Sequence, residues 1–283
     1  MRNHRSTLLA ILLFAAPLAA QEAQGEDLAE RHRRQVERDY AAAGWTRGPV
    51  REGLANELEL EGLVRLTIDA DEGRLVRHFR RTERQPAVLL VTSRVADTSA
   101  GAHADLITWL AGLQSTQRMP SVPDLGDAAF VGASGAARGA VSWVAFVRGN
   151  VFVRLNNLDP TREPGLDLVD LARGIDLDLL GVPILPEGAR PARPEVAELT
   201  LAEGLVTAGA RVRLTAEVAD AHGGTPHLTW SLGGAGLGYV ELAQDGVPYL
   251  FTTGPGTLEV HREVTSSMGT FTRASVSLEV LDD

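Results

Sequence analysis

The sequence predicts two domains: an α+β unit with an antiparallel sheet and helices on one face, followed by an all-β sandwich. Three observations predict it. Pro183, Pro186, Pro191 and Pro194 crowd one short stretch with Gly181 and Gly188 beside them, which suits a semi-rigid spacer and neither a helix nor a central strand. Before that stretch, helical and strand periodicities alternate; after it, only strand signals occur. The expected boundaries are 26–182 for the first domain, 183–194 for the linker and 195–283 for the sandwich.

Ahead of the first domain, residues 1–20 have the layout of a secretory signal peptide. Arg2, His4 and Arg5 make a basic start, Leu8 to Ala16 is an apolar run, and Pro17-Leu-Ala-Ala20 closes it with small residues. The run is shorter than the roughly 20 apolar residues a spanning helix needs. The expectation is export to the periplasm or the exterior, with no stable membrane insertion after cleavage near Ala20. The chain has no cysteine, so it forms no disulfide and carries no cysteine-linked lipid anchor. Its formal charge is −10, and loss of Arg2 and Arg5 with the signal takes it to −12. That balance disfavours nucleic acid and anionic membrane surfaces as partners. All 27 basic residues are arginine.

The elements follow in order. Leu28, His32, Val36 and Tyr40 recur at helical spacing between Asp27 and Ala43, and Gly44 and Gly48-Pro49 stop the helix. A hairpin from Glu57 to Asp69 and Arg74 to Arg80 turns through Ala70-Asp-Glu-Gly73. Pro86 to Val95 forms the next strand, with Val88-Leu-Leu-Val91 as its apolar run. Thr98 or Ser99 caps a helix to Leu113 whose inner stripe is Leu106, Ile107, Leu110 and Leu113, with Trp109 at the core edge. Asp127 to Gly132, Ala140 to Val147 and Val151 to Leu155 are strands. The middle one is apolar on both faces, and the last two are joined at Gly149-Asn150. A helix from about Leu166 to Leu180 closes the domain, with Leu168, Ala172, Ile175 and Leu179 on one side. Beyond the linker, strands at 196–201, 210–218, 227–232, 239–242, 247–252, 257–264 and 270–281 alternate with Gly, Asp and Pro turns, the spacing of a β-sandwich.

Gly126-Asp-Ala-Ala-Phe130, the Phe146-Val-Arg-Gly-Asn150-Val hairpin and Leu171-Ala-Arg-Gly-Ile175-Asp resemble small extracytoplasmic α+β domains of bacterial lipoproteins and of receptor-kinase sensor regions, over roughly residues 87–180. The resemblance implies a non-enzymatic, ligand- or partner-facing role and carries over no site. Phe251-Thr-Thr-Gly-Pro-Gly-Thr-Leu-Glu-Val260, the closing Ala274-Ser-Val-Ser-Leu-Glu-Val280 strand and a mid-strand Trp230 resemble bacterial immunoglobulin-like and PKD-type modules, without their inter-sheet cysteines. That implies a spacer, adhesive or carbohydrate-contacting module; fold alone does not choose among these.

Motifs that carry chemistry are sparse. Gly132-Ala-Ser-Gly-Ala136 misses the second glycine of a nucleophile elbow and lies between strands, where a hairpin loop is expected. Asp69-Ala-Asp-Glu-Gly73 offers three carboxylates, short of the about six to eight oxygen ligands calcium takes, and reads as a polar turn. His103 and Asp105 are two apart on a helix and point to different sides. His222 and His227 flank a turn with no third ligand for zinc. The densest basic run after the first helix is His78-Phe-Arg-Arg-Thr-Glu-Arg84. Its His78, Arg80, Arg81 and Arg84 form the candidate contact surface, set against the alternative of a solvated charge run. No phosphate loop, dinucleotide fingerprint or metalloprotease motif occurs.

The functional expectation is an exported, non-catalytic protein without cofactor or metal, whose α+β domain binds a protein or a cell-envelope or glycan partner and whose sandwich presents it. The alternatives are an exported hydrolase with a site assembled from distant residues and a purely structural surface component.

Overall fold

The computed structural model describes residues 29–54, 58–71, 73–113, 121–133, 141–163, 165–201, 205–220, 223–243 and 246–282. The described residues are mostly β, with three helices among them: α1 at 29–42, α2 at Ser99–Gly112 and α3 at Leu168–Gly181. Strands β1 (Val64–Asp71), β2 (Arg74–Arg80), β3 (Leu89–Val95), β4 (Ala128–Gly132), β5 (Trp143–Arg148) and β6 (Val151–Asn157) form one antiparallel sheet in the order β1-β2-β3-β6-β5-β4. It consists of two three-stranded meanders joined edge to edge by the β3–β6 pair, with α2 carrying the chain from β3 across to the far edge at β4.

The helices lie on both faces of this sheet, which corrects the expectation of one covered face. Val144 and Phe146 of β5 pack with Leu168, Ala172, Ile175 and Leu179 of α3. Ala145 and Val147, pointing the other way, pack with Ala102, Leu106 and Leu110 of α2 and with Val36 and Tyr40 of α1. A strand apolar on both faces needs cover on both, and alternate side chains meet different layers. Both helix starts are capped as their sequences require: Thr98 Oγ1 accepts from Gly101 N at 3.1 Å, and Asp167 Oδ1 accepts from Val169 N and Asp170 N at 3.0 Å.

The first hairpin strand is shorter than expected. It begins at Val64, not Glu57, because Glu61-Gly62 forms a turn with Gly62 at φ +72°, and Leu58 and Leu60 tuck into the core instead. The preceding segment straps the β5–β6 turn. Asn150 Oδ1 accepts from Arg51 N at 2.7 Å, while Asn150 Nδ2 donates to the carbonyls of Arg51 and Ala96 at 3.1 and 2.8 Å. Gly149, at φ +58°, lies so close to the Pro49 carbonyl that a Cβ would sit 2.2 Å from its oxygen.

The proline-rich segment is not a free spacer. Arg51 and Ile184 form a β-bridge, Leu185 N donates to Val50 O at 2.9 Å, and Arg193 grips Asp97 with Nε and a terminal nitrogen at 3.2 and 2.6 Å. Beyond it, β7 (Glu195–Leu201), β8 (Leu205–Thr207), β9 (Arg211–Ala219), β10 (His227–Gly234), β11 (Leu237–Leu242), β12 (Pro248–Gly254), β13 (Gly256–Thr265) and β14 (Phe271–Leu281) form two four-stranded sheets, β10-β13-β14-β8 and β11-β12-β9-β7. Val212, Leu214 and Leu250 from one sheet and Val206, Leu258, Val260, Leu278 and Val280 from the other share one core. Trp230 packs at its margin under the Arg262 guanidinium, 4.3 Å from the ring centre. The β13–β14 turn reaches back to the first sheet: Met268 O accepts from Leu54 N at 2.9 Å, and the Phe271 ring lies against Gly73. Thr229 Oγ1 also donates to Ala70 O at 3.1 Å.

Candidate anion-binding face

The face of the six-stranded sheet that carries α1 and α2 is covered unequally. Helix α2 packs mainly on β5 and β6 and reaches β3 through Asp105 and Arg94, so that among the described residues no helix is seen packed on the β1–β2 side. The alternation of β2 sends Leu75, Arg77 and Phe79 to the α3 face, and Arg74, Val76, His78 and Arg80 to the open one. Register then lines up three rows across the open face: Arg74 with Arg94, Val76 with Thr92 and Arg154, and His78 with Leu90, Asn156 and Trp143.

The result is a cluster of arginines in an acidic protein. Arg94, 45 % exposed, pairs with Asp105 of α2 at 3.0 Å. Burial raises the Asp105 carboxyl above its ordinary range, and Arg94 and Arg74 oppose that rise. Arg154 spreads its guanidinium over the Trp109 ring at 5.5 Å from the centre, and one terminal nitrogen reaches Thr92 Oγ1 at 3.4 Å. Its Nε and the neighbouring Asn156 Nδ2 are shielded donors with no protein acceptor. Burial, and then the charge of Arg74, pull Arg154 below the usual arginine value. A guanidinium stays protonated even so, so Arg74 and Arg154 repel each other across the floor of this face. An anion bridging them would relieve that repulsion and supply acceptors for the idle donors. Trp109 and Trp143 meet edge-to-face at 4.8 Å and wall the α2 side.

The sequence-derived contact residues divide. His78 lies on the open face, bonded to Thr67 Oγ1 at 3.0 Å and 3.6 Å from Asp69. Arg80 shares that face but donates to the Glu83 carbonyl. Arg81 turns away to Glu163 at 3.2 Å, and Arg84 is exposed in the following turn. Arg74, Arg94, Arg154 and Asn156 were not signalled by any run along the chain. Arg74 shares the strand parity of His78 and Arg80, and only the pairing of β2, β3 and β6 brings the others to that face.

Other sequence-derived candidates lie elsewhere. Ser134, Glu72 and His222 lie outside the described residues. Among the described residues no three histidines or acids converge as metal ligands, and no helix is long and apolar enough to cross a membrane. On the opposite face of β2, Arg77 is almost fully buried and donates to Ser93 Oγ at 3.0 Å; burial and Arg65 push it down to about 10. No protein-family model and no curated protein matches the chain. The site must therefore be read from its own chemistry.

His103 and Asp105 diverge as expected. His103, 4 % exposed, shares a 2.6 Å hydrogen bond with the Tyr40 hydroxyl and ties α1 to α2. Burial holds the tyrosine proton well above its usual value and lowers the His103 imidazole below 6.5. His227 is lowered too, by burial and then by Arg77. A histidine lowered in the native state takes up its proton first in the unfolded chain. Its stabilising contribution is complete above 6.5 and is lost as pH falls from there to the native pKa. Thermal melts from about pH 7.5 down to about pH 5 should show a falling Tm, and His103→Gln should flatten part of that fall. A Tm slope identical in both proteins would remove His103 from the account.

Proposed function

We propose that this is an exported, non-catalytic binding protein of the periplasm or exterior, in which the open sheet face recognises an anionic partner and an immunoglobulin-like sandwich presents it. The observation that carries the reading is the set of Arg74, Arg94 and Arg154 that strand register brings to one face, where Arg154 Nε and Asn156 Nδ2 have no protein acceptor, in a chain of net charge −10. Cations gathered against the overall charge raise the local concentration of anions and steer them inward. The support for export is the layout of residues 1–20, and that for the sandwich is the pair of four-stranded sheets around one core.

Isothermal titration of the secreted chain with anionic probes tests this. Polyglutamate should bind with an affinity that falls as salt rises, because the contact is largely exposed. The double variant Arg74→Gln/Arg154→Gln should weaken it by about tenfold or more, roughly 1.4 kcal/mol. Binding unchanged by the double variant, or indifferent to salt, would overturn the proposal.

A further inference from the structure

Resting on that reading, we infer that the open face binds a small organic monocarboxylate with a flat aromatic body, its carboxylate on Arg154 and Asn156 and its ring against Trp109 and Trp143. Charge argues first. Most cations of this face are already engaged. Arg94 meets Asp105 at 3.0 Å, His78 stands 3.6 Å from Asp69, Arg80 donates to the Glu83 carbonyl, and Arg74 has a partner of its own. Arg154 is held by neither a carboxylate nor a carbonyl among the described residues; it touches Thr92 Oγ1 at 3.4 Å and the Trp109 ring. One such guanidinium calls for one negative charge.

Donors argue second. Arg154 and Asn156 are two residues apart on β6, so both belong to the same face of the strand. Arg154 Nε and Asn156 Nδ2 have no protein acceptor, and both side chains are partly exposed, so a small shift of either opens its idle donor to a ligand. A carboxylate has two oxygens, one for each donor. Phosphate brings more charge and more oxygens than this pair can match. Apolar surface argues third. Asn156 is flanked in register by Leu90 of β3 and Trp143 of β5, both partly exposed. Trp143 meets Trp109 edge-to-face at 4.8 Å and packs against Gly132, where a Cβ would stand 2.2 Å from the indole, so its position is set before any ligand arrives. Two indoles and a leucine beside a single carboxylate position suit a planar apolar body.

Calorimetric titrations of the full chain with phenylacetate, acetate, benzyl alcohol, inorganic phosphate and polyglutamate decide it. Phenylacetate should bind at least about tenfold more tightly than acetate, which lacks the ring, than benzyl alcohol, which lacks the charge, and than phosphate. Arg154→Gln should lower the phenylacetate affinity by at least about tenfold with far-UV circular dichroism unchanged. Asn156→Asp, which sets a negative charge beside the incoming carboxylate, gives the same readout if Arg154→Gln fails to fold. Equal binding of phenylacetate and acetate, tighter binding of phosphate, or an affinity unchanged in both variants would overturn the monocarboxylate inference. Polyglutamate binding without phenylacetate binding would overturn it too and leave the anion-binding reading standing. No binding of any probe, polyglutamate included, would overturn both.

Discussion

Replacing Asp176 by alanine should destabilise the protein by about 3–5 kcal/mol, the cost of stranding a buried charge. Asp176 projects from α3 and takes two hydrogen bonds from Arg148 of β5, at 2.7 and 2.6 Å, and a third from Gly126 N at 3.0 Å. Its side chain is 7 % exposed and that of Arg148 is 18 % exposed. Asp127 completes the cluster at 3.2 Å from Arg148 and accepts from Gly48 N and Gly149 N at 3.0 and 2.6 Å. These carboxylates hold Arg148 above its ordinary value. The cluster therefore joins α3, β5, the β5–β6 turn and the strap after α1. Alanine removes both bonds from Arg148 to Asp176 and the acceptor of the Gly126 amide, leaving Asp127 as the arginine's remaining carboxylate. Urea unfolding measures the loss. Asp176→Asn, which keeps the shape and one acceptor, should cost less, and a loss below about 1 kcal/mol for alanine would contradict the network's role.

Phe146→Ala should cost about 3–5 kcal/mol, the range for deleting a buried aromatic ring. Phe146 is fully buried in the central strand β5, among Val153 and the α3 residues Ala172 and Ile175. Backbone pairing to β4 and β6 on either side keeps β5 from collapsing into the void. Phe146→Leu retains more of the filled volume and should cost less. A small loss on alanine substitution by denaturant unfolding would mean that α3 settles into the vacated space.

The two cores make clear what was legible in the sequence. Strand β5 reads as apolar on both faces, yet the sequence predicts helices on only one; each helix's stripe does name the side chains that turn inward: Leu168, Ala172, Ile175 and Leu179 in α3, Leu106 and Leu110 in α2. The choice of face for each helix was not legible. The handedness that fixes crossovers between parallel strands does not constrain α2, which links β3 to an antiparallel strand at the far edge. Contacts between distant segments, such as Phe271 on Gly73 or Met268 on Leu54, leave no periodic trace at all.

The candidate site was legible only at one end. The run from His78 to Arg84 drew attention because its charges adjoin in sequence, yet Arg81 and Arg84 leave the face that His78 and Arg80 share. Arg94 and Arg154 join His78 through strand register, sixteen and seventy-six positions further along. Clustering along a chain reports turns and solvated loops; clustering across a sheet depends on which strands become neighbours.

The most direct measurement is a backbone-amide NMR titration of the chain with a polyglutamate peptide. Shifts confined to β2, β3, β6 and the Asp105–Trp109 turn of α2 are the expected result. Shifts centred on the sandwich, or none at saturating peptide, would contradict an acid-binding face on the six-stranded sheet.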